Sequence, residues 1–420
     1  MNLTSFDKTT EKYLPLCTKR LWNVSTFTTT LHIIKKMLQN HSFAENEQKT
    51  MNHTHFVCPF TKTFCLVSFL LLLLHIGCNE TDTPDTPDDL QIDMTKIPLP
   101  KLSDYGFFDG NIADMKPVEE LIPYDLITPL FSNYAQKARF VYVPKGKKVI
   151  YKENDVFDFP IGSIIVKTFY FYNDINDPSQ GKQILETRLL IKTDTAWLSA
   201  PYIWNEQQTD ANYDVAGRIV DVTWTHTDGN PKTIFYQIPN SNECRGCHSL
   251  DKKTELIGPK ARHLNHNFPY ATGSMNQLDK WTQSGILQGA PPTAQVPRVA
   301  QWNDPNSGTL DQRTRAYLDI NCAHCHNSQG PANNSGLDLN YFQTDSTALG
   351  ICKQPVAAGQ GSGNFDFGIV PGKPEESIMI YRMNSIQPQI AMPELARSVI
   401  HDEGVELVRQ WIASLPGSCD

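Results

Sequence analysis

The sequence has no excess of basic residues. Its 37 Lys+Arg face 45 Asp+Glu, a formal charge of -8 over 420 residues. That excludes the basic stripe expected of a nucleic-acid binder. No apolar run is long enough to cross a bilayer as a helix, for which ~20 residues are needed; the longest, from Phe64 to Ile76, stops short. Glycine and proline, at 24 and 28 residues, show neither excess nor period, so collagen-like and low-complexity classes are out. No repeat of fixed period runs through the chain. Between about Pro98 and Pro239 no acid pair, nucleophile constellation or phosphate loop stands out. With 40% apolar and 10% aromatic residues, the composition is that of a soluble globular chain with an ample core. Its length suggests two or three domains.

What is present begins with a targeting signal. The run Phe64–Ile76 has the length of a signal-peptide hydrophobic region, follows the positive Lys62, and ends at Gly77-Cys78. This resembles a bacterial lipoprotein processing site at which Cys78 is acylated and becomes the first residue; His75 stands where Leu is usual. Residues 1–77 are then an upstream extension plus signal, with Met51 the more ordinary start. Residues 78–97 form an acidic, Pro- and Thr-rich tether. The expected location is outside the cytoplasm: a membrane-anchored lipoprotein facing the periplasm or the cell surface.

Residues 98–240 read as β structure. Short aromatic and β-branched runs recur, such as Arg139–Val143, Ile164–Tyr172 and Leu185–Ile191. Ile219–Thr225 and Lys232–Ile238 flank Thr227-Asp228-Gly229-Asn230-Pro231, a strong hairpin signal. The spacing of turns suggests a β-sandwich-like domain whose Trp197, Tyr202, Trp204 and Trp224 serve as core.

The chemistry sits in two pentapeptides, Cys244-Arg245-Gly246-Cys247-His248 and Cys322-Ala323-His324-Cys325-His326. Both fit C-x-x-C-H, the c-type haem attachment pattern. The paired thiols add to the two vinyl groups, and the adjacent His248 or His326 becomes the proximal iron ligand. A four-thiol zinc site is the first rival, but the two pairs lie far more than ~15–20 residues apart. A thioredoxin-like pair would need a βαβ setting. Disulfides explain neither the tight pairs nor the following histidines.

Two haem modules follow, 241–300 and 301–420. In the second, Leu310–Ile320 reads as a helix running into Cys322. Val405, Val408, Trp411, Ile412 and Leu415 recur at helical spacing behind Asp402. Ala391-Met392-Pro393 precedes that closing helix, where cytochromes c place a thioether ligand, so Met392 is the expected distal ligand of the second haem. Met379 and Met383 suit packing better. Arg382 reads equally as a propionate partner or a solvated helix residue. In the first module no helix precedes Cys244, while Asp279–Leu287 reads as a short amphipathic helix. Met275 ahead of it is the first choice for distal ligand of the first haem, with His263 and His266 as rivals and an open iron as the remaining option. Cys352 and Cys419 are left over and suggest a disulfide, with separate thiols as the alternative.

The order of acidic tether, β domain, first motif with Ile257-Gly258-Pro259-Lys260 and Asn276-Gln277-Leu278, second motif and Met392-Pro393 resembles a bacterial family of diheme c-type cytochromes of unassigned role. The resemblance covers about residues 95–415, with specific haem motifs and a softer likeness in the β domain. It implies haem binding and electron transfer. The expected fold is therefore α+β and multidomain: the β-sandwich-like domain, then mainly α cytochrome c-type modules carrying two covalent haem c groups. The expected function is an exported diheme electron carrier working with a redox partner protein and held to the membrane by its lipid. The alternative is a diheme peroxidase-like or oxidase enzyme with one open haem site. The distal side of the first haem separates the two.

Overall fold

The computed structural model describes residues 90–356, 358–395 and 397–419. Cys17, Cys58, Cys65, the expected signal, the expected acylation site Cys78 and most of the expected tether lie outside the described residues. No helix among the described residues is long and apolar enough to cross a membrane.

The β region is built on one six-stranded antiparallel meander. Its strands are β1 (Leu121–Tyr124), β2 (Gln136–Tyr142), β3 (Ile164–Tyr172), β4 (Lys182–Lys192), β5 (Trp197–Trp204) and β6 (Ala211–Tyr213), each paired with its sequence neighbour. The strands alternate because successive side chains point to opposite faces. One face carries Ile164, Val166, Leu189 and Ile191. It packs with Leu102, Tyr105 and Phe107 in an apolar core, and Leu90, Ile92, Met94 and Ile97 lie against it. The last part of the expected tether is thus packed onto the sheet rather than solvated, because its apolar residues recur at every second or third position.

The other face is divided. At one end Ile165, Val141 and Trp197 share a core with Leu256, Leu264, Leu278 and Trp281. The sheet and the region of the first Cys-x-x-Cys-His motif therefore have one common core. At the other end Phe169, Phe171 and Leu185 pack under a hairpin of β7 (Arg218–Thr225) and β8 (Pro231–Ile238). The hairpin turn closes with His226 N–H donating to the Asn230 carbonyl at 2.9 Å. Gly229 sits there at φ +78°, a left-handed conformation that glycine adopts without steric cost. The architecture is one sheet plus a packed hairpin rather than two full sheets.

Six α-helices complete the described fold: α1 (Ser241–Cys247), α2 (Ala261–Leu264), α3 (Gln277–Gln283), α4 (Leu310–Asn321), α5 (Ile378–Met383) and α6 (Asp402–Ser414). Between residues 241 and 300 the helices are short and alternate with small strand pairs, such as Asn267–Tyr270 with Gly273–Asn276. The mainly helical character expected for that module is not what the structure has. In the C-terminal part, α4, α5 and α6 bury Tyr317, Leu318, Ile380, Val405, Val408 and Trp411 in a separate core. A Thr309/Gln312 capping box starts α4, satisfying backbone donors that the first turn leaves unpaired. Gly404 lets α6 lie close against α4: a β-carbon there would clash with the Tyr317 hydroxyl. Cys352 and Cys419 are joined as a disulfide across 67 positions, which ties the chain end to this core.

Candidate functional site

Both cysteine–histidine motifs open onto one cavity. Cys244, Cys247 and His248 line it from one side, and Cys322, Cys325 and His326 from another. It holds about 1680 Å³ of empty space, open solvent at its mouth included. A second hollow of about 760 Å³ adjoins it and shares Lys167, Arg188, Cys244 and His248.

Local sequence explains how each motif reaches the cavity. Cys244 and Cys247 lie on α1, so helix runs through the motif itself. The Asn240 side chain accepts from the N–H groups of Asn242 and Glu243, and the Glu243 carboxylate accepts from Asn240 N–H at 2.9 Å. The Asn-x-x-Glu spacing was the signal for this helix. Gly246 permits a close approach, since a β-carbon there would lie 2.6 Å from the Leu395 side chain. Cys322 caps α4, and the chain then turns back, with His326 N–H donating to the Cys322 carbonyl at 2.9 Å.

The four motif thiols are free of disulfides. Burial pushes the Cys322 and Cys325 thiols up to about 12 and also raises Cys247. They are therefore neutral at physiological pH, unlike the lowered thiols of reactive redox pairs. Among the described residues, no three His, Cys, Asp or Glu side chains converge as a bare-metal site.

The two motif histidines share one arrangement. His248 Nδ1 lies 2.9 Å from the Glu255 carbonyl, which only accepts, so Nδ1 carries the proton and Nε2 is left with a bare lone pair. His326 Nδ1 lies 3.0 Å from Ser335 Oγ. The single hydroxyl proton of Ser335 goes to the Ala332 carbonyl at 2.7 Å. His326 must therefore also donate through Nδ1 and leave Nε2 free. Burial draws both imidazoles down to about 4, so both are neutral. A neutral ring fixed through Nδ1 by an outer acceptor is the usual form of a metal-ligating histidine.

Met392 lines the same cavity. Its loop is braced by Arg382, whose carbonyl accepts from Met392 N–H at 3.0 Å. The Arg382 guanidinium donates to the Ile390 carbonyl at 2.9 Å and pairs with Glu394 at 3.3 Å. Arg382 thus holds the Met392 loop. Met383 also faces the cavity, from the core of the C-terminal region.

The remaining ligand candidates named from sequence do not line the cavity. Met275 pairs with Phe268 across the small hairpin and packs on the core shared with the sheet. His263 donates through Nε2 to the Asp319 carboxylate at 2.8 Å. His266 sits against the carbonyls of Asn267 and Asp125, at 3.0 and 3.4 Å. Two other imidazoles do line it. His401 is buried, stacks on Phe131 at 4.0 Å, and shares a 2.9 Å hydrogen bond with the Tyr317 hydroxyl. His324, inside the second motif, has a buried Nδ1 with no hydrogen-bond partner. Its position between two cysteines was visible in the sequence; its orphaned nitrogen was not.

Helix α4 also carries one member of a buried ion cluster. Asp319 on α4 accepts from Arg262 Nε and Nη2 at 2.9 and 2.8 Å and from His263, and Lys260 stands 3.9 Å away. Burial alone would raise its carboxyl, but Lys260, His263 and Arg262 outweigh that and hold it far below the ordinary carboxylate value. The cluster fixes α2 to α4, and hence the first motif region to the helix that ends at Cys322.

Compared with protein-family models, curated proteins and solved structures, the chain matches none of them.

Proposed function

We propose that the chain is an exported diheme c-type cytochrome that passes electrons between redox partners in a bacterial envelope. The observation that carries the reading is the shared cavity: four unpaired thiols line it together with two neutral imidazoles, each with a free Nε2. These residues fit the group. Cys244 and Cys247 would hold one haem c with His248 as proximal ligand. Cys322 and Cys325 would hold the other with His326 as proximal ligand, and Met392, which lines the same cavity, would supply a further ligand. A bound haem supplies a one-electron couple whose potential is set by its axial ligands and surroundings.

The chain's own part is to orient and to exclude water. The Glu255 carbonyl and Ser335 Oγ fix the rotation of the two rings and raise their basicity. A neutral thioether at Met392 favours the reduced state of the second iron. For the first iron, His324 lines the same cavity and has an Nδ1 without a hydrogen-bond partner, so His324 would be its further ligand in place of Met275. Two saturated irons suit a carrier, since a saturated iron leaves no place for substrate. The finer fold reading also belongs to this proposal: the C-terminal core of α4 to α6 is a cytochrome c-type module, and the sheet is a wall of the haem chamber. The acylated Cys78 anchor and the family resemblance complete the same picture.

The test is electron paramagnetic resonance of the oxidised holoprotein, with the c-type pyridine haemochrome for stoichiometry. Two low-spin irons support the carrier. A stable high-spin iron, converted to low spin by added cyanide and joined by rapid peroxide turnover, would instead establish the enzyme reading.

A further inference from the structure

The strand register sets three cations side by side on the sheet face that looks into the cavity. Arg139 on β2 is directly opposite Lys167 on β3, and Lys167 is directly opposite Arg188 on β4. Like charges opposed in this way across strands are destabilising unless something answers them. Protein carboxylates answer two. Arg139 pairs with Asp125. Arg188 pairs with the fully buried Glu186, Nε to Oε2 at 2.7 Å, and Tyr236 donates to the same carboxylate at 2.9 Å. Among the described residues, the central cation, Lys167, has no carboxylate within ion-pair distance. Its ammonium and the Arg188 guanidinium lie over one aromatic ring, Phe169, at 5.0 and 4.3 Å.

The row sits between the two apolar patches of that face. Lys167 and Arg188 border both the main cavity and the adjoining hollow, next to Cys244 and His248; Arg139 borders the hollow. The row therefore borders the first attachment site. We propose that the Arg139–Lys167–Arg188 row binds the propionate carboxylates of the first haem, with Lys167 as the direct partner. This inference rests on the haem reading of the cavity. The sheet then serves to seat the cofactor by its acidic edge. A porphyrin brings two carboxylates to a row whose central cation has none within ion-pair distance, and a buried cation without a partner is costly. Burial and the flanking arginines draw the Lys167 ammonium down to about 7 without such an anion.

The experiment is a potentiometric titration of both haems in the full-length holoprotein, in wild type, Lys167→Met and Lys167→Arg. Losing a positive charge beside a propionate stabilises the oxidised haem. Lys167→Met is expected to keep both covalent haems and lower the midpoint of the His248-ligated haem, leaving the other, marked by Met392→Ala, in place. Lys167→Arg restores the wild-type value. Unchanged potentials in Lys167→Met, or a shift confined to the His326-ligated haem, overturn the proposal. If Lys167→Met is poorly folded, Lys167→Gln is judged by the same two results. Added inorganic phosphate should leave the wild-type potentials alone; a phosphate-dependent shift that Lys167→Met abolishes would put a free anion on the row and overturn it. A wild-type protein without haem would remove the cavity reading itself, an outcome visible before any variant is compared.

Discussion

Asp319→Asn tests the ion cluster on which the placing of both motifs depends. The side chain is fully buried, and so is the Arg262 guanidinium that it receives. The substitution keeps the shape and removes the charge. It leaves Arg262 buried with its hydrogen bond to the Asn154 carbonyl at 2.6 Å and one to the amide oxygen, and sets an amide N–H₂ against the other cationic donors. Breaking a buried pair from one side costs about 3–5 kcal/mol. Lys260, 14% exposed and 3.9 Å away, loses the same carboxylate, so about 4 kcal/mol, within that range, is expected. With a urea slope of about 3 kcal/mol/M for a chain of this size, the midpoint at pH 7 should fall by about 1.3 M. The double change Asp319→Leu with Arg262→Met should recover most of the loss, because it removes both charges together. A fall in midpoint below about 0.3 M for Asp319→Asn would refute the claim that the cluster holds α2 and α4 together.

The same group sets a pH window. Its folded carboxyl is held far below the ordinary value, so its contribution is full above the unfolded carboxylate value of about 3.9 and is lost as pH falls further; acid unfolding of wild type should therefore be steeper below pH 4 than that of Asp319→Asn. Met392→Ala should remove the thioether–iron charge-transfer band of one haem and lower its potential, while an unchanged spectrum would remove Met392 as ligand. His324→Ala should turn one low-spin iron high-spin without loss of covalent haem, and an unaltered resonance spectrum would contradict its assignment. Replacing Cys352 and Cys419 by Ser opens a loop of 67 positions, worth about 4 kcal/mol by chain entropy; equal thermal stability of the two forms would argue against that contribution.

Local pattern made much of this fold legible. The hairpin of β7 and β8 could be read from alternating residues around Asp228-Gly229, because the turn requires a positive φ that glycine supplies. Helices α4 and α6 were legible from apolar spacing, and the strand runs from their β-branched and aromatic residues. Long-range register was not legible. Nothing near Arg139, Lys167 or Arg188 in the sequence says that three strands will bring them level. Met275 looked like a ligand because it precedes a helix, yet its small hairpin sets it opposite Phe268 and turns it into core. His263 sits beside Asp319 through a contact between residues 56 positions apart, beyond the reach of any motif. Helix α1 was missed although Asn240 and Glu243 announced it, since a run of polar residues after a hairpin reads as loop.

The most direct test of the central claim is the intact mass of the mature protein under denaturing conditions, from cells able to attach haem. Thioether bonds survive denaturation, so the account predicts a chain heavier by two haems, falling by one haem for each attachment pair replaced by alanine. A bare polypeptide mass, or a protein that binds zinc with all four motif thiols, would contradict it.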